Sequence, residues 1–309
     1  MWIGVYDNRS AEGGYGFYAL SGGFPGSIED SILQIMCRWG KMGEAPGKNL
    51  RFSELSSDSC YLFSFIHRNV TDEFCFREHF QAVHYVVTPE EADYILHYSF
   101  RDVYQRFESL SAELVSKQAV PDRCEDVQYI FGSFPEERRA HQRIPDRELL
   151  ESLMFGAFYG RDRKNRTGQV IIAGADPIKA LTEVFARLPD NLRKTVSFQT
   201  NIESCGEAYG IALAFCSEKA FDEMKMAGFE KRESTNLSYY YRGKLSVNSS
   251  EHFGKELSMC LLSAREEEAR NYANETGNLS WDEYIRVLVD GVPHIKAFFS
   301  RIRRCFNRT

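Results

Sequence analysis

The sequence predicts an α+β fold: mixed sheets with flanking helices in two domains, followed by a C-terminal helical segment. Three observations predict it. The first 90 residues hold several short, aromatic-rich strand patterns around one helical pattern. A polar, proline-punctuated stretch, Ser116 to Pro145, then gives way to a strand–helix–strand pattern from Gln169 to Thr200. From Ser250 the chain turns into charged helical sequence. These shifts divide it into an N-terminal α+β domain (1–140), a middle α/β domain (141–249) and a C-terminal helical segment (250–309). A chain of 309 residues is long enough for about two cores.

Taken in order, Trp2 to Tyr6 alternates as a first strand and Tyr15 to Leu20 as a second. The stretch from Gly13 to Gly26 carries six glycines among aromatics, which suits an aromatic strand, a tight Gly22-Gly23 turn and entry into a helix. Ser27 is a plausible cap, and Ile28, Ile32, Leu33, Ile35 and Met36 follow at helical spacing until the glycine-rich loop Gly40 to Lys48. Leu50–Leu55 and Tyr61–Ile66 form paired strands around Ser56-Ser57-Asp58-Ser59, and Phe80–Val87 is β-rich. Thr88-Pro89-Glu90-Glu91 is a helix start with cap, proline and acids placed for the positive end of the dipole. The middle domain opens with a helix from Asp146 to Tyr159 and a basic turn, Arg161 to Arg166. Strands at Gln169–Ala173, Thr195–Thr200, Tyr209–Phe215 and Leu237–Leu245 alternate there with helices opened by Asp176-Pro177 and spanning Glu218–Met226. Two long helices close the chain, Ser250–Asn274 and Trp281–Phe306, the second kinked at Pro293.

Composition narrows the function. Net charge is −6 with a pI near 5.8, which argues against a dedicated nucleic-acid binder. No basic leader with an apolar run opens the chain, and no stretch approaches the ~18 apolar residues of a membrane span, so a cytoplasmic protein is expected. The eight cysteines include no Cys-x-x-Cys pair and are expected to be reduced thiols. The 23 Phe and 16 Tyr require large cores or aromatic-lined surfaces.

No complete catalytic motif is present. The loop Gly174-Ala175-Asp176-Pro177 follows a buried strand, yet it lacks the glycine spacing of a phosphate loop, and Asp176 would repel phosphate. His79 and His84 are five apart on a strand, so they point to opposite faces unless a bulge intervenes, and no metal is expected. Cys75 with His79 and His84 is the one grouping from which a hydrolase or nucleotide-processing site could be built, if the fold brings them together. The basic turn at 161–166 suits an anion or acidic partner, with a solvated loop as the ordinary reading. On the last helix Ile295, Phe298, Phe299, Ile302 and Phe306 share a face ringed by Arg301, Arg303 and Arg304. That pattern suits partner docking or an anionic membrane surface, beside the ordinary role of a packed terminal helix.

Three segments carry a family likeness: Gly13-Gly14-Tyr15-Gly16-Phe17 running to Gly22-Gly23-Phe24-Pro25; Phe76 to Val87, a turn with Arg77 leading into a His-containing apolar strand; and Leu188-Pro189 followed by Thr195-Val196-Ser197-Phe198-Gln199-Thr200. Over roughly residues 1–215 the chain resembles the N-terminal and middle domains of the GTPase-associated proteins of bacterial conflict systems. It lacks a glycine before Arg77. The resemblance implies a cytoplasmic adaptor or regulator in antiphage defence, without a cofactor, that contacts a GTPase or effector encoded beside it. The surfaces expected to make that contact are the Gly-aromatic N-terminal segment and the helical C-terminus. The expected contact residues are Tyr15, Phe17, Phe24, Arg77, His79, His84, Phe298, Arg301 and Arg304.

Overall fold

A computed structural model describes residues 1–7, 16–37, 47–55, 60–70, 79–117, 119–121, 146–159, 169–204, 206–208, 210–226, 238–242, 244–246, 265–277 and 279–290. The architecture is α+β, as the sequence predicts, and it is built on one ten-stranded mixed sheet. The strands are β1 (Trp2–Asp7), β2 (Gly16–Leu20), β3 (Gly47–Leu55), β4 (Cys60–Val70), β5 (His79–Val87), β6 (Val170–Ala173), β7 (Phe198–Gln199), β8 (Leu213–Cys216), β9 (Ser238–Tyr241) and β10 (Lys244–Ser246). They are ordered β10-β9-β6-β8-β7-β3-β4-β5-β1-β2. The sequence reading expects more than one sheet. Instead β3 pairs antiparallel with β7 through Arg51↔Gln199 and Phe52↔Phe198, which joins strands from the two halves of the chain side to side.

The N-terminal strands are antiparallel, and β3–β4 is the expected pair. In the other half β6, β7, β8 and β9 run parallel, with β8 between β6 and β7. The expected single strand Leu237–Leu245 is instead a hairpin of β9 and β10, which folds back at Arg242 with φ of 50°.

The described helices are α1 (Gly26–Cys37), α2 (Pro89–His97), α3 (Phe100–Lys117), α4 (Arg147–Tyr159), α5 (Pro177–Arg187), α6 (Asp190–Arg193), α7 (Glu218–Met226), α8 (Arg265–Thr276) and α9 (Trp281–Asp290). Sequence chemistry explains two starts directly. Thr88 and Glu91 form a reciprocal capping box on α2, with bonds of 3.3 and 2.8 Å. Asp176 accepts from the Ile178 and Lys179 amides and so caps α5.

The two faces of the sheet differ. One face carries a single apolar core that runs the width of the molecule. Phe52, Phe63, Tyr85, Phe198 and Phe215 pack there against side chains of α2, α3, α4, α5, α8 and α9. Phe198 packs between the two halves, with ring centroids 5.5 Å from Phe52, 5.0 Å from Phe100 and 5.7 Å from Phe185. The opposite face has two smaller apolar clusters. One, at the β1/β5/β4 end, is closed by Ile28, Ile32 and Met36 of α1. The other, at the β6/β8/β9 end, is closed by Ala220, Phe221 and Met224 of α7.

Candidate functional site: an aromatic corner beside a buried polar row

The corner lies at the β2 edge of the sheet. Tyr6 and Phe17 are cross-strand partners next to a bulge at Val5/Tyr6, and their rings meet edge to face at 5.7 Å. Gly4 lies between β2 and β5, opposite Leu20 on one side and His84 on the other. A Cβ on Gly4 would sit 2.6 Å from Phe17 Cε1, so glycine there lets the Phe17 ring lie over the strand. Phe17 thereby reaches the His84 ring at 5.7 Å and Phe24 at 5.8 Å. Phe24 is held by the tight turn, with its amide on Ser21 O at 3.1 Å and Gly23 at φ of 73°. Phe17 and Phe24 are both half-buried.

The structure thus brings together three of the expected contact residues, Phe17, Phe24 and His84. One of them needs correction. His84 is fully buried, because it belongs to the inward row of β5 between Ala82 and Val86. It cannot touch a partner directly, and its place is beneath the aromatic pair. Its Nδ1 is 2.8 Å from Ser64 Oγ on β4. Burial, with the Arg51 charge nearby, holds its pKa down to about 3, so it is neutral at physiological pH and far from the range of a general base. Of the hydrolase grouping, His84 is the member whose side chain is described. His79 opens β5 opposite Val70, while Cys75 and the side chain of His79 lie outside the described residues. Tyr15, Arg77, Phe298, Arg301 and Arg304 lie outside them too, as does the basic turn 161–166. No group of three or more His, Cys, Asp or Glu side chains suited to a metal occurs among the described residues.

Beside the corner, between the two smaller apolar clusters, the same sheet face carries a polar row that sequence reasoning missed. Register places it: His84 is opposite Ser64, Ser64 opposite Arg51, and Arg51 opposite Gln199. Asn49 and Ser53 flank Arg51 two positions away on β3, on the same face. All six are buried. Arg51 Nη1 donates to Gln199 Oε1 at 2.8 Å and to the Glu207 carbonyl at 3.0 Å. The Glu207 carboxylate turns to its own loop, accepting from Ser204 Oγ at 3.2 Å and the Glu203 amide at 3.3 Å.

The row includes the buried atoms Asn49 Nδ2, Ser53 Oγ, His84 Nε2 and Gln199 Nε2, which have no hydrogen-bond partner. Each buried, unsatisfied group of this kind costs ~1–3 kcal/mol. The signal in the sequence was the alternation Asn49-Leu50-Arg51-Phe52-Ser53, which ordinarily marks a strand with one face in water. Here that face is covered. Neither protein-family models nor curated proteins compared with the chain match it.

Proposed function

We propose that this chain is a non-catalytic adaptor of a bacterial GTPase-associated conflict system. It acts in the cytoplasm, in antiphage defence, through contact with a GTPase or effector encoded beside it. The observation that supports this reading is the half-buried pair of Phe17, on β2, and Phe24, in the turn after it, where β2 is the outermost strand at its end of the sheet among the described residues. An extended partner segment can add to such an edge, with main-chain hydrogen bonds supplying affinity and aromatic anchors supplying specificity. Tyr6 and the neutral His84 pack against Phe17, so that ring loses little side-chain entropy when a partner docks. No described helix is long and apolar enough to cross a membrane.

The test is capture of the neighbouring GTPase or effector by the full chain. Replacing Phe17 and Phe24 together with Ala is expected to weaken capture at least about tenfold, the loss typical of an aromatic hot spot. Unchanged capture by a variant that still unfolds cooperatively would refute docking at this edge. Failure of the chain to bind any of its genomic neighbours would refute the adaptor reading itself.

A further inference from the structure

We draw no further inference here: the strongest candidate, the carboxyl ends of the adjacent parallel strands β6 and β8, from which α5 and α7 leave on opposite faces of the sheet, carries nothing because it offers two helix N-termini already capped by Asp176 and Ser217, and no second observation among the described residues points to a ligand there.

Discussion

At the scale of single residues, His84 links the two functional features, and it titrates in a way that can be measured. Its folded pKa of about 3 lies below the unfolded value of 6.5, so the unfolded chain binds a proton that the folded chain refuses. The contribution to stability is complete above pH 6.5 and is lost as pH falls toward 3. Between pH 7 and pH 5 this amounts to about 2 kcal/mol, at 1.36 kcal/mol per unit. Urea unfolding at the two pH values should show that loss in the parent and not in His84→Gln. Equal pH dependence in both would mean that the imidazole is not held neutral by burial.

At the scale of elements, α4 packs so closely on β8 that replacing its one glycine is costly. A Cβ on Gly156 would lie 2.3 Å from Leu213 Cδ2 and 3.1 Å from the Ala212 carbonyl. Glycine to alanine within a helix gains roughly 1 kcal/mol of propensity, but overpacking costs ~1–3 kcal/mol, and a backbone oxygen cannot rotate away. Gly156→Ala is expected to lower the thermal midpoint by a few degrees, and a rise would show that the two elements separate easily. Elements were also what the sequence made most legible. Thr88-Pro89 and Asp176-Pro177 marked helix starts because capping is local chemistry. Glu218–Met226 was readable from end to end as helix, and the β3–β4 pair from its alternation. The break between α2 and α3 at Tyr98-Ser99 left no proline or glycine to read. The strand expected over Thr195–Thr200 shrinks to Phe198–Gln199 because Thr195 and Val196 close the turn after α6. The candidate site was legible in its aromatic half, where Phe17 and Phe24 stand out by type. Its polar half depends on which strand lies beside β3, and a partner 148 residues away leaves no local trace.

At the scale of the whole molecule, the apolar core does not respect the compositional boundary near residue 140. Phe52 and Phe100 from one side share it with Phe185 and Phe198 from the other. Fragments 1–145 and 146–309 are expected to unfold without cooperativity when produced apart and to copurify when produced together. A cooperative transition in either fragment alone would show that its share of the core suffices. The order in which the strands are made adds a temporal consequence. When β3, β4 and β5 leave the ribosome, the outer edge of β3 has not yet met β7, which begins at Phe198, well over 100 residues beyond the end of β5 at Val87. The nascent protein therefore carries an open, aromatic strand edge through much of its own translation, the condition that invites mispairing between copies and slows folding. Its yield in cells should depend on whatever shields that edge until β7 arrives.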